Sequence, residues 1–360
     1  MHIKKLTLSN FRNYENAVFN FTDGINILVG DNAQGKTNSA EAVFYLCTGY
    51  SPRASKDKQV IRYGQKQAKI EGVCSSRFGE LEVSIEFKQT KKDVFVNGVK
   101  LSKIGELMGN VNSVFFNPGE LKLIQQSPED RRRFMDISLS QMDKKYFYTL
   151  QKYRKILEQR NDLLKSPDLD AVRETLPLWD RELALSAVEI IEKRKSFIAS
   201  LEPFVKDYHQ KITGGDDIEL TLETPHYTGG GVEELITAYA ERVEKDLILG
   251  YTTVGPHRDD IKIKVNGEDV RVFGSQGQQR TAALSLKLGE VSVMKNAFGE
   301  YPVLILDDAL SELDLGRRKR LIALLSGFQT LITLTEIPEE LKSADAKIIK
   351  IENGKIWCAD

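Results

Sequence analysis

The stretch from residue 25 to residue 37 constrains the fold of this chain more than any other. Residues 25–29 are apolar except for Asn26 and predict a buried strand, and an apolar helical pattern follows Thr37. Between them, Gly30 and Gly35 allow backbone angles that residues with a Cβ atom resist, so successive N–H groups can point at phosphate oxygens. The pattern G-x-x-x-x-G-K-T between a strand and a helix therefore predicts a phosphate-binding loop.

The side chains at the end of this loop suit a nucleoside triphosphate. Lys36 can reach the β- and γ-phosphates, and the Thr37 hydroxyl can hold Mg²⁺. The positive end of the helix adds to the attraction for phosphate. The residues predicted to bind ATP here are Gly30, Asp31, Asn32, Ala33, Gln34, Gly35, Lys36, Thr37 and Asn38.

Composition indicates a globular chain without a membrane span. Apolar residues make up 41% of the 360 positions and charged residues 29%, as in soluble domains. No run approaches 18 apolar residues, and the start of the chain alternates like a strand rather than a secretory signal. The three cysteines show no metal-binding spacing and are typical of reduced thiols, so we expect a cytoplasmic protein.

Charge is unevenly placed although the formal net charge is −1. Residues 51–103 hold 12 Lys and Arg against 6 Asp and Glu, a net charge of +6, whereas residues 214–260 hold 3 against 11, a net charge of −8. The first segment could meet phosphate backbones, although solvated surface charge explains it equally well.

Patterning divides the chain into three parts. Residues 1–118 combine the phosphate loop with alternating strands that predict an antiparallel layer, including a hairpin at Asn97-Gly98. Residues 119–213 predict a helical hairpin lobe, with one run over residues 129–165, a break around Pro167 and a second run to about residue 212. Residues 214–360 return to mixed structure and are expected to complete the first part. The fold class is therefore α/β with a helical second lobe.

A second buried strand, residues 302–306, ends in two acids. Asp307 is placed to approach the Mg²⁺ held by Thr37, and Asp308 to act as the general base that polarises the attacking water. A buried strand ending in acids is also an ordinary exit to solvent, but the phosphate loop favours the metal interpretation.

A glycine-rich turn, residues 274–281, opens the helix before this strand. Ser275, Gly277 and Gln278 would present a helix N-terminus to an anion. The turn lies too near Asp307 in sequence to form a second loop on the same nucleotide. We therefore expect these residues to cap the γ-phosphate of ATP held by another subunit.

The order of these motifs resembles that of ABC-type ATPases, and the residues within them resemble those of the RecF family. The matching segments are Asn10-Phe11-Arg12-Asn13-Tyr14, Gly30 to Asn38, Gly255-Pro256-His257-Arg258-Asp259-Asp260, Ser275-Gln276-Gly277-Gln278-Gln279-Arg280-Thr281, Leu306-Asp307-Asp308 and Ser311-Glu312-Leu313-Asp314. The resemblance implies an ABC-type ATPase head with a P-loop core sheet, an antiparallel β layer and a helical lobe. It further implies that Arg12 lies near the nucleotide, Arg53 engages phosphate and Asp314 lies at a dimer seam.

The same resemblance implies a function. It suggests a weak, DNA-stimulated ATPase that forms an ATP-dependent homodimer on duplex DNA and on single-strand/duplex junctions. With RecR and RecO, such a protein helps to load recombinase at gaps, in DNA recombination, repair of DNA damage, replication-fork recovery and the SOS response.

Several alternatives stay open at this point. A chromosome-organising ATPase would insert hundreds of heptad residues, far more than the helical hairpin predicted here. A transporter motor subunit usually carries a histidine near residues 333–335, where this chain has none. A nucleotide-gated binding module without hydrolysis is disfavoured by Asp308. Residues 131–133, three arginines, are either a phosphate contact or a charged first helical turn, and the sequence does not reveal what His257 does.

Overall fold

The computed structural model describes residues 1–311, 313–342 and 345–358. The strands are β1 (His2–Phe11), β2 (Tyr14–Asn20), β3 (Ile25–Val29), β4 (Gln67–Ser76), β5 (Gly79–Lys88), β6 (Lys92–Val96), β7 (Val99–Lys100), β8 (Ser113–Phe116), β9 (Ile218–Glu223), β10 (Asp260–Val265), β11 (Glu268–Asp269), β12 (Val303–Asp307), β13 (Thr330–Leu334), β14 (Ala346–Glu352) and β15 (Lys355–Cys358). The helices are α1 (Lys36–Thr48), α2 (Lys122–Gln125), α3 (Pro128–Met142), α4 (Lys144–Leu163), α5 (Leu169–Thr213), α6 (Gly231–Leu249), α7 (Val270–Phe273), α8 (Gln276–Phe298), α9 (Leu315–Leu324) and α10 (Glu339–Lys342).

The chain forms two compact units. The first comprises residues 1–121, 204–216 and 280–360, and the second comprises residues 122–203 and 217–279. Two helices, α5 and α8, continue across the division, α5 directly after Pro203 and α8 at Arg280.

Within the described residues, the first unit contains two six-stranded sheets. One is antiparallel, in the order β2-β1-β4-β5-β6-β7, and includes the predicted hairpin at Asn97-Gly98. The other has the order β15-β14-β3-β13-β12-β8, in which β14, β3, β13, β12 and β8 are parallel and β15 is an antiparallel edge. In this sheet Thr333 pairs with Leu28 on β3 and with Asp307 on β12. The carboxyl ends of these three strands therefore meet at one edge.

Helix α1 lies between the two sheets of this unit. It contacts β12, β13 and β8 of the parallel sheet as well as β4 and β5 of the antiparallel one. Eleven of its thirteen residues are buried, which explains why residues 40–47 are apolar except for Glu41. The helix that follows the phosphate loop is thus fixed on both sides.

The second unit is mainly helical, and the prediction of one helical run over residues 129–165 is wrong in one respect. The run over residues 129–165 is two helices, because α3 ends at Met142 and α4 starts at Lys144. The Asp143 carboxylate between them caps α4 by accepting hydrogen bonds from the N–H groups of Lys145 (2.8 Å) and Tyr146 (3.3 Å). The second predicted helical run corresponds to α5, which is one helix of 45 residues. Among the described residues, no helix has both the length and the apolar character needed to cross a bilayer.

The three expected parts also differ from the observed division. Residues 217–279 group with the helical unit, whereas residues 214–360 had been expected to complete the first part. The reason is a small antiparallel sheet, β11-β10-β9, whose central strand packs on α3. Asp260 at the start of β10 accepts two hydrogen bonds from Arg131 on α3, at 2.5 and 2.9 Å. A bidentate ion pair thus joins segments that are far apart in sequence.

Buried ion pairs hold the helices of the second unit together. Arg160 on α4 is fully buried and pairs with Asp180 on α5 (2.6 Å) and Asp246 on α6 (2.8 Å). Arg194 on α5 pairs with Asp136 and Asp259, each at 2.8 Å. Because a buried charge is costly unless it is paired, these contacts specify one arrangement of the helices.

Candidate functional site

The phosphate loop connects the end of β3 to the start of α1 and needs both of its glycines. A Cβ atom at Gly30 would lie 2.2 Å from the carbonyl oxygen of Ile351 on β14. Gly35 has a φ of 121°, and a Cβ atom there would lie 2.7 Å from the Tyr14 hydroxyl. The loop therefore passes too close to its neighbours for any residue with a side chain.

Contacts from two neighbouring turns hold the outside of the loop. The carbonyl oxygen of Gln34 accepts hydrogen bonds from Asn13 Nδ2 (2.9 Å) and from the Gly354 N–H (3.2 Å). The Tyr14 hydroxyl donates to the carbonyl oxygen of Gly35 at 3.0 Å. The hairpin turn at Asn353-Gly354, between β14 and β15, thus supports the loop, a role that its sequence does not reveal.

The Lys36 ammonium group lies across the mouth of the loop. It donates hydrogen bonds to the carbonyl oxygens of Gly30 (2.6 Å) and Asp31 (2.7 Å). Burial lowers the pKa of Lys36, while the negative charges of Asp308, Asp307 and Asp31 oppose that shift. The three carboxylates therefore help to keep a positive charge where phosphates are expected.

Thr37 and Asp307 meet as expected. Asp307 is the last residue of β12, and its Oδ1 atom accepts a hydrogen bond from the Thr37 hydroxyl at 2.9 Å. Burial raises the pKa of Asp307, whereas the hydrogen bonds from Thr333 and Thr37 lower it. The two expected metal-binding side chains thus present oxygen atoms at one point.

Asp308 follows in a left-handed conformation, with a φ of 54°. Such backbone angles are uncommon for residues other than glycine and occur often at functional sites. Among the carboxylates that raise the pKa of Lys36, Asp308 has the largest effect. Asp308 is therefore in the same electrostatic site as the loop lysine.

The glycine-rich turn before α8 forms a helix cap in the second unit. The Gln278 side chain accepts from the Ser275 N–H (2.9 Å), and the Ser275 hydroxyl accepts from the Gln278 N–H (3.3 Å). This reciprocal pair is a capping box, and it leaves Ser275 exposed. Ser275, Gly277 and Gln278 belong to the second unit, whereas the phosphate loop belongs to the first.

Arg12 and Arg53 both approach a residue that the sequence analysis missed. Arg12 donates two hydrogen bonds to the Glu41 carboxylate, at 2.9 and 2.6 Å, and Ser51 donates a third at 2.5 Å. Arg53 lies 3.8 Å from Glu41 and 3.2 Å from the Asn38 side-chain oxygen. Glu41 is fully buried on α1, and a charged residue within the apolar run of residues 40–47 was the available signal.

Two further predicted features, Arg131 and Asp314, have structural positions. Arg131 is buried in its pair with Asp260, so its role as a phosphate contact is contradicted. Asp314 caps α9 by accepting a hydrogen bond from the Arg317 N–H at 3.0 Å. Glu312 of the same motif lies outside the described residues.

His257 is enclosed within the second unit. Its Nε2 atom lies 2.9 Å from the carbonyl oxygen of Thr252, and its Nδ1 atom lies 2.6 Å from the Tyr153 hydroxyl. Because a carbonyl oxygen can only accept, Nε2 carries the proton and Nδ1 accepts from Tyr153. Burial lowers the pKa of His257 to about 4, so the ring is neutral at pH 7.

This shift predicts a pH-dependent stability. The unfolded chain protonates His257 near pH 6.5, whereas the folded chain does so near pH 4. Protons therefore bind the unfolded state preferentially as the pH falls through this range, and the stability due to the neutral ring is lost. Between pH 7 and pH 4, the free energy of unfolding of the wild type should fall by about 3 kcal/mol relative to His257→Asn. Urea titrations at each pH measure this difference, and a constant difference would contradict the assignment.

Comparisons with known proteins agree with this geometry. The family model described as RecF/RecN/SMC N terminal domain matches residues 2–354. The DNA replication and repair protein RecF of Clostridium acetobutylicum is 42% identical over 363 residues, covering 99% of each chain. That of Clostridium kluyveri is 41% identical over 361 residues, covering 99% of each chain.

Solved structures give the same result. The recombination mediator protein RecF-ATP in the RecFOR pathway superposes with a TM-score of 0.91 at 34% identity, covering 100% of this chain and 98% of that chain. The Smc head bound to the C-winged helix domain of ScpA reaches a TM-score of 0.61 at 17% identity, covering 100% of this chain and 98% of that chain, which shows a shared fold alone.

These likenesses extend over nearly the whole chain rather than over the phosphate loop alone. They confirm the predicted fold class, an ABC-type ATPase head with an antiparallel β layer and a helical lobe. They also confirm the resemblance that the sequence motifs indicate. This protein therefore belongs to the RecF family.

Proposed function

We propose that this protein is a cytoplasmic, DNA-binding switch of replication and repair that ATP drives into a homodimer. Its membership in the RecF family supports a role in recombination, repair of DNA damage, replication-fork recovery and the SOS response. The observation that carries the proposal is the meeting of Lys36, Thr37 and Asp307 at one edge of a parallel sheet.

The residues of this edge fit a nucleoside triphosphate with Mg²⁺. The loop N–H groups and Lys36 would bind the phosphates, with Arg12 and Arg53 at the rim. The Thr37 hydroxyl and the Asp307 carboxylate are hard oxygen donors, and Mg²⁺ commonly takes one or two such protein ligands together with phosphates and water. When bound, Mg²⁺ would neutralise charge on the phosphates.

Asp308 suits the role of general base toward water. It is half-buried beside Lys36 and follows directly after the proposed metal ligand. We infer slow hydrolysis, because a second subunit must complete the site before each turnover. We further propose that DNA stimulates this hydrolysis.

The second half of the site is proposed to come from the partner subunit. Ser275, Gly277 and Gln278 open a helix of 23 residues, whose N-terminus favours an anion. Such a contact exists in the dimer alone, and ATP can favour dimerisation only through contacts of that kind. Asp314, at the start of α9, is proposed to lie at the same seam.

Two substitutions separate nucleotide binding from dimerisation. Lys36→Ala should abolish both, because it removes the phosphate-binding ammonium group. Ser275→Arg should keep ATP binding by the monomer and abolish ATP-induced dimers, because a long cation would occupy the contact with the partner. Binding of a fluorescent nucleotide measures ATP binding, and sedimentation velocity measures ATP-induced dimerisation. Ser200→Arg, at an exposed serine of α5, is the matched control.

Loss of nucleotide binding by the Ser275→Arg monomer would place Ser275 in its own subunit's site. ATP-dependent dimers of Lys36→Ala would contradict the phosphate-loop assignment.

We infer that DNA meets the basic segment that follows α1. Lys56, Lys58 and Lys66 are exposed there, and Tyr63 is fully exposed between them. Contacts of this kind are directed at backbone phosphates and read little sequence. RecR and RecO are the proposed protein partners, in keeping with the RecFOR pathway of the solved relative.

DNA affinity should fall steeply with salt because phosphate contacts release counterions. Replacing Lys58 and Lys66 with Gln should weaken binding to any sequence and reduce the slope of log K against log salt by about 2. Lys245→Gln, in the acidic segment, is the control and should leave the slope unchanged. Fluorescence anisotropy with a duplex of arbitrary sequence measures both. A slope that both variants share with the wild type would remove this segment from the interface.

A further inference from the structure

Thr333 occupies a central position behind the proposed metal and water sites. It lies on β13, between β3 and β12, and is 1% exposed. Its hydroxyl donates a hydrogen bond to Asp307 Oδ1 at 2.7 Å, the same atom that accepts from Thr37. Asp307 is therefore held by two hydroxyl groups that come from different elements.

The same hydroxyl group also contacts the next acid. The Asp308 N–H donates to the Thr333 hydroxyl at 3.0 Å and lies 3.3 Å from the Thr333 carbonyl oxygen. The bond to the carbonyl oxygen continues the ladder between β12 and β13, so the Asp308 N–H is shared between the backbone and the hydroxyl of Thr333. One hydroxyl thus fixes both the carboxylate of Asp307 and the backbone of Asp308.

A second threonine on the same strand lacks this role. Thr330 is also fully buried, yet within the described residues its hydroxyl has no hydrogen-bond partner. Packing alone therefore suffices to explain Thr330, whereas Thr333 uses both hydrogen-bonding capacities of its hydroxyl.

We infer that Thr333 is a positioning residue, which orients Asp307 toward Mg²⁺ and Asp308 toward the attacking water. This inference rests on the proposed ATPase function. Thr333 lies outside the phosphate loop and the acidic strand end, and it acts through hydrogen bonds rather than through contact with nucleotide. Groups that orient metal ligands in this way commonly matter nearly as much as the ligands.

Three variants test the inference. Thr333→Val keeps the shape and removes the hydroxyl, so kcat should fall about 10- to 100-fold, and the Mg²⁺ concentration needed to tighten nucleotide binding should rise about 10-fold. Nucleotide affinity in EDTA should stay unchanged, because Lys36 and the loop are intact. Thr333→Ser keeps the hydroxyl and should restore both properties. Thr330→Val makes the same substitution three residues away and should match the wild type.

A packing role predicts the opposite order. In that case Thr333→Ser, which loses a buried methyl group, would be the damaged variant, and Thr333→Val would match Thr330→Val. That order would overturn the inference, and thermal unfolding midpoints of all three variants would verify folding. A wild type whose nucleotide binding does not respond to Mg²⁺ would instead overturn the proposed function, and this inference with it.

Discussion

The hydrogen bond between Thr37 and Asp307 joins residues 270 positions apart, and the site depends on what makes it possible. Thr37 belongs to the helix after β3, and Asp307 ends β12, with β13 between the two strands. Parallel pairing places the carboxyl ends of all three strands at one edge, where ligands commonly bind in open α/β sheets. A shift in the pairing of β13 would separate the two residues.

Buried polar groups hold the side chains at this edge of the sheet in one arrangement. Glu41 within α1 binds Arg12 and Ser51, and Thr333 binds both acids at the end of β12. Such groups are costly to bury unless they are satisfied, so each satisfied network disfavours other arrangements of the same chain. The rigid setting matters for chemistry, since general base and metal ligand must be held in place before the nucleotide arrives.

Local patterns predicted much of this architecture. The glycine spacing around Lys36, the acidic end of β12 and the turn at Asn97-Gly98 each depend on neighbours in sequence, and all were predicted. The break at Asp143 was missed, because an aspartate between two apolar helical stripes is also compatible with one continuous helix. The roles of Glu41 and Thr333 depend on strand order and on packing of α1 between sheets, which periodicity does not determine.

In the proposed site, the phosphate loop and the acidic end of β12 hold one metal ion together with a nucleoside triphosphate. Anomalous scattering from Mn²⁺, in crystals of the Asp308→Asn variant grown with ATP, tests it most directly. One strong peak is expected within coordination distance of the Thr37 hydroxyl and beside Asp307, against the β- and γ-phosphates. A nucleotide bound at the loop, with its Mn²⁺ held by other residues, would show that Thr37 and Asp307 do not form a metal site.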